Sequence, residues 1–269
     1  MNIIAIVPAY NEGSNIANVV ADISHTMPGI DIVVIDDGSQ DYTSQMAQQA
    51  GAIVLRLPHN LGIGGAVQTG LRFAVESMAD YIIRLDGDGQ HPASQISLLL
   101  EPVLRGEADI TIGSRFVSSS KLPPISIPRR IGIKVFCFLT SILSGRKVTD
   151  PTSGFMAMNS HVAVFLIRNM AQDYPEADAR VLLSRGGFKI REIFTQMRER
   201  QGGLTSITPL RALYYIFKVS LSVFAARSRI INRSMYGSRS ALNVDYPVID
   251  DPLKGSEDAS ISTDNNTGF

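Results

Sequence analysis

Short apolar runs alternate with longer amphipathic stretches through the first 115 residues, and this alternation restricts the possible folds more than any other feature of the chain. The runs at 3–7, 32–35, 53–55, 81–85 and 110–112 are too short for helices and apolar almost throughout, the pattern of strands buried on both faces. Between them, Ser14 can cap a helix running to about 23 and Asp41 another to about 49. Gly65 opens one to about 76, and Pro92 begins one to about 104. Strands that alternate with helices of this length imply right-handed crossovers, hence an α/β fold with a mostly parallel sheet flanked by helices.

A chain of 269 residues with 45% hydrophobic side chains can bury a core, which excludes wholesale disorder. Its single cysteine, Cys137, excludes a disulfide scaffold and a cysteine zinc cluster. The formal charge is zero, from 25 basic and 25 acidic residues, which argues against a nucleic-acid partner. The charges are segregated, however. Residues 110–149 and 201–244 contain no acid, although the first tract has seven basic residues, Arg115, Arg129 and Arg130 among them, and the second has six. Such tracts suit a membrane surface or another anionic partner.

Residues 1–9 read as a buried strand rather than a signal peptide. The most apolar later stretch, 212–226, is short for a bilayer crossing and carries Lys218 in its middle, so it is expected to lie in the membrane interface. A helical segment at 131–143 has the same make-up, large apolar residues with only positive charge. Beyond 244 there are six acids against one lysine, the composition of a disordered tail.

In an open parallel sheet, ligands bind beyond the carboxyl ends of the strands. Three acid-bearing loops fall there: Pro8-Ala9-Tyr10-Asn11-Glu12, Asp36-Asp37-Gly38-Ser39-Gln40-Asp41, and Asp86-Gly87-Asp88-Gly89-Gln90-His91-Pro92. Asp86 and Asp88, with Gln90 as a neutral oxygen, offer hard donors suited to Mg²⁺ or Mn²⁺, and the bland alternative is a solvated acidic turn. Asp36 and Asp37 can accept hydrogen bonds from a base or ribose, or serve the local turn with Ser39 and Asp41 as caps. The stretch Asn60-Leu61-Gly62-Ile63-Gly64-Gly65-Ala66, with Gly70 beyond it, lacks the spacing of a dinucleotide fingerprint and the ending of a P-loop. It fits close backbone packing near a ligand, or a tight turn.

Taken in order with G-S-R-F at 113–116 and D-P-T-S-G-F at 150–155, these stretches resemble the family 2 glycosyltransferases of the GT-A fold. Within that family the likeness is strongest to the dolichyl- and polyprenyl-phosphate sugar transferases. It covers about 3–231. The resemblance implies a Rossmann-like nucleotide-sugar domain over residues 1–206, with a nucleotide-binding half to about 115 and an acceptor half over 116–206. Interfacial amphipathic helices over 207–240 and an acidic tail over 241–269 would follow.

By the same resemblance, Pro8, Tyr10, Glu12, Ile35 and Asp37 hold the nucleotide, and Asp86, Gly87 and Asp88 lie at the diphosphate. Asp86, Asp88 and Gln90 hold the divalent metal, with Arg115 near the phosphates. Arg200 matches the arginine of a mobile R-x-x-G-x-S loop at 200–206, and Asp178 falls where hydroxyl-glycosylating relatives keep a catalytic base. A lipid phosphate acceptor arrives ionised and needs no base, so Arg115, Arg129 and Arg130 would bind its charge instead.

The expectation is therefore an inverting, metal-dependent enzyme that moves a sugar from a nucleotide-diphosphate sugar to a polyprenyl phosphate. It would be peripheral on the cytoplasmic face of the membrane, with a small membrane-protein partner supplying any missing anchor. Two alternatives remain: transfer to a hydroxyl with Asp178 as base, and a non-catalytic nucleotide-sugar-binding scaffold.

Overall fold

The computed structural model describes residues 1–117, 127–170 and 175–198. Seven strands form one sheet: β1 (Ile3–Ala9), β2 (Asp31–Asp36), β3 (Ile53–Arg56), β4 (Tyr81–Arg84), β5 (Ile110–Ser114), β6 (Met156–Asn159) and β7 (Ile190–Phe194). Their spatial order is β3-β2-β1-β4-β6-β5-β7. All pairings are parallel except those of β6, which runs antiparallel to β4 and β5. The five strands expected from the apolar runs are all present. The sheet adds β6, a short Met-Ala-Met-Asn segment without a β-branched residue, and β7, whose middle is Arg191-Glu192.

Seven helices flank the sheet among the described residues: α1 (Ile16–Thr26), α2 (Thr43–Gln49), α3 (Gly62–Glu76), α4 (Ile96–Leu104), α5 (Ile127–Ser144), α6 (Ser160–Asn169) and α7 (Pro175–Gly186). Three starts differ from expectation. α1 begins at Ile16 rather than beside Ser14, after a turn in which the Asn15 and Ile16 amides donate to the Glu12 carbonyl. α3 begins at Gly62 rather than Gly65, because the Asn60 side chain accepts the Gly62 N–H at 3.0 Å and starts the turn early. After Pro92 the chain makes a single 3₁₀ turn, Ala93–Gln95, before α4.

Alternation along the strands divides the core. Ile4 and Ile6 of β1 join Val33 and Ile35 against α3, α6 and α7, whereas Ile3, Ala5 and Val7 join Val34 against α1 and α4. Both faces of β1 are therefore buried, the reason its sequence is a continuous apolar run rather than an alternating one. α3 packs especially close. A Cβ at Gly70 would lie 2.7 Å from Ile35 Cδ1 and 3.2 Å from Ile6 Cβ, so only glycine fits there.

Candidate active site

Because β2, β1 and β4 are neighbours and parallel, their carboxyl ends deliver the three acidic loops to one edge. They enclose an open cleft of about 350 Å³. Of the residues singled out in the sequence, Pro8, Tyr10, Glu12, Asp37, Asp86, Gly87 and Asp88 line it, together with Asn60 and Gly62 of the glycine-rich stretch. Tyr10 is exposed, a free aromatic face at the cleft mouth.

The two adjacent aspartates of β2 divide their work. Asp36, buried, accepts the Ser39 amide at 2.8 Å and the Ser44 hydroxyl, and so is consumed by the turn. Asp37 faces the cleft and accepts the Leu61 N–H at 2.7 Å, which ties the glycine-rich stretch to the second loop. Gly38 takes φ +73°, and a Cβ there would lie 2.9 Å from the His59 carbonyl carbon. Glu12 is held by Asn15 Nδ2 at 2.8 Å.

Asp86 is the most constrained of the acids. Arg84 Nη2 donates to its Oδ1 at 3.2 Å, its own amide donates to His91 Nδ1 at 3.0 Å, and His91 Nε2 lies 3.9 Å from Oδ2. His91 in turn stacks on Phe155 with ring centroids 5.1 Å apart. Burial raises the Asp86 carboxyl pKa, but the neighbouring guanidinium of Arg84, with that of Arg115 beyond it, outweighs this and the net shift is downward, so the group is ionised near neutrality. Burial lowers the His91 pKa against the pull of Asp86 and Asp88, which leaves a neutral ring able to accept the Asp86 N–H. Asp88 Oδ1 accepts the Gln90 amide at 3.1 Å.

Among the described residues no three His, Cys, Asp or Glu side chains converge into a complete metal cage. Two carboxylates opening on a wide cleft nevertheless fit a hard divalent cation that takes its remaining ligands from water and phosphate oxygens. The donor set is all oxygen, which suits Mg²⁺ or Mn²⁺.

A second ionic group adjoins the first. Arg115 forks onto Asp150, with Nε to Oδ2 at 2.7 Å and Nη2 to Oδ1 at 2.8 Å, and Nη2 also reaches Thr152 Oγ1 at 2.8 Å. These bonds use Nε and Nη2; Nη1 donates in none of them. Arg115 is thus oriented by Asp150, with part of its surface still open to solvent. Buried Arg180 joins Glu192 at 2.7 Å and the Asp150 carbonyl, extending the network into α7 and β7.

Two expected site residues stand elsewhere. Ile35 is fully buried in the core against α3 and does not line the cleft. Asp178 is fully buried on α7 and does not line the cleft. Arg129 and Arg130 lie in the first turn of α5. Arg200, with its loop and the segments at 207–240 and 241–269, lies outside the described residues. The chain leading toward Arg200 is anchored: the Arg198 amide donates to the Gln90 carbonyl at 2.9 Å, and Arg198 Nη1 pairs with Asp22 at 2.7 Å.

Sequence reasoning assigned no role to Arg84, His91, Asp150, Glu176, Arg180 or Glu192. A signal was available for Arg84, a charge inside an otherwise apolar strand, and for His91 and Asp150, which stand within the stretches that carry the family resemblance.

This sheet order, with an acidic cleft on its carboxyl edge, is that of the GT-A fold. Residues 4–164 match the family model described as glycosyl transferase family 2, and the chain belongs to that family. It is 27% identical over 222 residues to the UDP-N-acetylglucosamine–dolichyl-phosphate N-acetylglucosaminyltransferase of Methanococcus voltae, covering 73% of this chain and 88% of the relative. It is 29% identical over 211 residues to the undecaprenyl-phosphate mannosyltransferase of Micrococcus luteus, covering 76% and 86%. The fold matches glucosyl-3-phosphoglycerate synthase of Mycobacterium tuberculosis, solved with Mn²⁺, UDP and glucosyl-3-phosphoglycerate. That match has a TM-score of 0.64 at 22% identity and covers 86% of this chain and 81% of the other. The protein is a glycosyltransferase.

Proposed function

We propose that this enzyme transfers a sugar, with inversion, from a nucleotide-diphosphate sugar to a polyprenyl phosphate. The observation that carries the reading is that Arg115, forked onto Asp150, stands close enough to the cleft's Asp86 to help lower its pKa, in a chain whose α5 exposes Val135, Phe138 and Ile142. The names of the Methanococcus and Micrococcus relatives point to the same acceptor class.

In this reading Pro8, Tyr10, Glu12 and Asp37 seat the nucleoside, and Asp86 and Asp88, with Gln90, hold a divalent cation. When bound, Mg²⁺ or Mn²⁺ offsets the negative charge that develops on the departing diphosphate. An acceptor phosphate oxygen attacks the anomeric carbon while the bond to the diphosphate breaks and its electron pair leaves with the nucleoside diphosphate. Arg115, held by Asp150, presents Nη1 to a phosphate oxygen and supplies fixed positive charge that needs no reorganisation during reaction. The acceptor is already ionised, so no base is required, in keeping with the enclosure of Asp178.

The lipid is reached along α5. Val135, Phe138 and Ile142 recur at helical spacing and are exposed, Phe138 by 65%, with exposed Lys134 beside them and Arg146 and Lys147 just past the helix end. We place this face on the cytoplasmic surface of the membrane, where 207–240 and a membrane-protein partner would add to the attachment. No helix among the described residues is long and apolar enough to cross a bilayer.

The test incubates the protein with Mg²⁺ or Mn²⁺, a panel of nucleotide sugars and a short polyprenyl phosphate, with products identified by mass spectrometry. A glycosyl phospholipid that disappears with Asp88→Ala supports the reading. Nucleotide-sugar binding without any lipid product shifts it to a hydroxyl acceptor. In that case Asp178→Ala would abolish turnover and leave donor binding intact.

A further inference from the structure

We propose that Glu176, on the first turn of α7, is a positioning residue that sets how strongly Asp86 can hold a divalent cation. The inference deepens the proposed function and rests on its reading of Asp86 as metal-facing.

Arg84 lies in the middle of the sheet, paired through β4 with both β1 and β6, and its side chain is 3% exposed. A guanidinium there has lost its water and must be compensated by carboxylates. The described hydrogen bonds of its side chain run from a single nitrogen to two of them. Nη2 reaches Glu176 Oε1 at 2.6 Å and Asp86 Oδ1 at 3.2 Å, while Nε, buried, has no hydrogen-bond partner. Nη2 carries two N–H groups and so serves both acids, and Glu176 holds the shorter bond.

Asp86 cannot move back from this shared nitrogen. Gly154, from the D-P-T-S-G-F stretch, lies directly behind it. A Cβ on Gly154 would stand 2.8 Å from Oδ2 and 2.9 Å from Oδ1 of Asp86, and 2.9 Å from Arg84 Nη2. The carboxylate is thus fixed between the arginine and the Gly154 backbone, with its remaining surface toward the cleft.

The charge sum gives the consequence. Asp86 with Arg84 alone is a neutral pair, a poor ligand for a cation. With Glu176 present the three groups sum to one negative charge, and the arginine is drawn away from Asp86. Neutralising Glu176 returns Arg84 wholly to Asp86 and adds a positive charge beside the cation site. Partners one step removed from a metal ligand commonly change metal affinity by about 10- to 100-fold. The contact also joins α7 to the end of β4, through Glu176, Arg84 and Asp86.

The experiment titrates Mn²⁺ into the full chain saturated with UDP and reads free Mn²⁺ by electron paramagnetic resonance, with UDP affinity without metal and melting temperature recorded in parallel. Glu176→Gln should weaken Mn²⁺ binding by about tenfold or more while metal-free UDP affinity stays unchanged. Combining it with Arg84→Met restores the sum of one negative charge on Asp86 and should return Mn²⁺ affinity to within about threefold of wild type. A role for Glu176 in packing alone would not produce that recovery. Should Glu176→Gln fail to fold, Glu176→Asp takes its place, with a weakening of about two- to fivefold expected. Unchanged Mn²⁺ affinity in the folded single variant overturns the proposal, as does a double variant that binds no better than Glu176→Gln. A wild-type complex with UDP that binds no Mn²⁺ removes the metal reading itself and the inference with it.

Discussion

Gly154 and Cys137 show how single residues near the cleft are set by what surrounds them. A methyl group at Gly154 would overlap the Asp86 carboxylate, so Gly154→Ala must push either that group or Arg84 out of place. We expect transfer activity to fall by at least about tenfold while the melting temperature drops by only a few degrees, measured by steady-state kinetics and circular dichroism. Cys137 donates to the Thr149 carbonyl, and burial, with the negative charges of Asp150 and Glu192, pushes its pKa up to about 11. Alkylation of the native protein at pH 8 should therefore be on the order of a hundredfold slower than in urea, followed by mass spectrometry; equal rates would contradict the described surroundings. The acids of the cleft were legible in the sequence because strand ends announce themselves by composition. Arg84 and Glu176 are 92 positions apart, and only folding makes them neighbours, so their partnership left no local trace.

Among the elements, the stretch from α5 to β6 carries an ionic centre beside its apolar contacts. Asp150 stands at the centre, gripping Arg115 through its side chain and Arg180 through its carbonyl. Burial by itself raises its pKa, but the hydrogen bonds and charge of Arg115 outweigh this, and in the folded chain the group ionises below the usual carboxylate range. The folded form then binds fewer protons than the unfolded chain in acid. The pair's contribution is complete above about pH 4 and is lost as pH falls through the folded value. Asp150→Asn should lower stability at pH 7 by about 3 kcal/mol and flatten the decline below pH 4, both measurable by urea denaturation across pH. β6 and β7 escaped sequence reading for a related reason. β6 is too short to show a period, and β7 carries Arg191, exposed and paired with Glu107 of the α4–β5 loop, and Glu192, paired with Arg180 of α7. Strands buried against apolar layers reveal themselves, whereas strands completed by ion pairs do not.

At the scale of the whole molecule, the balanced total charge conceals an acidic cleft edge and a basic tract on α5. The regular alternation along the first 115 residues was enough to establish the α/β layering, and the strand-end rule was enough to locate the cleft. How the acids divide was not legible, as the pair Asp36 and Asp37 illustrates: the first is consumed by Ser39 and Ser44 in its own turn, and the second reaches across to the Leu61 amide and faces the cleft. If the exposed face of α5 rests on lipid, replacing both Phe138 and Ile142 by serine should weaken binding to anionic vesicles by at least about tenfold in a flotation assay, with the melting temperature little changed. Undiminished flotation would move the attachment away from α5. The decisive comparison presents the enzyme, Mn²⁺ and its nucleotide sugar with polyprenyl phosphate and, separately, with the matching polyprenol. Product only from the phosphate, with the mass of a glycosyl phosphodiester and absent in Asp88→Ala, is the expected outcome. Glycosylation of the polyprenol, or of neither lipid while another hydroxyl acceptor is glycosylated, would contradict a phosphate acceptor.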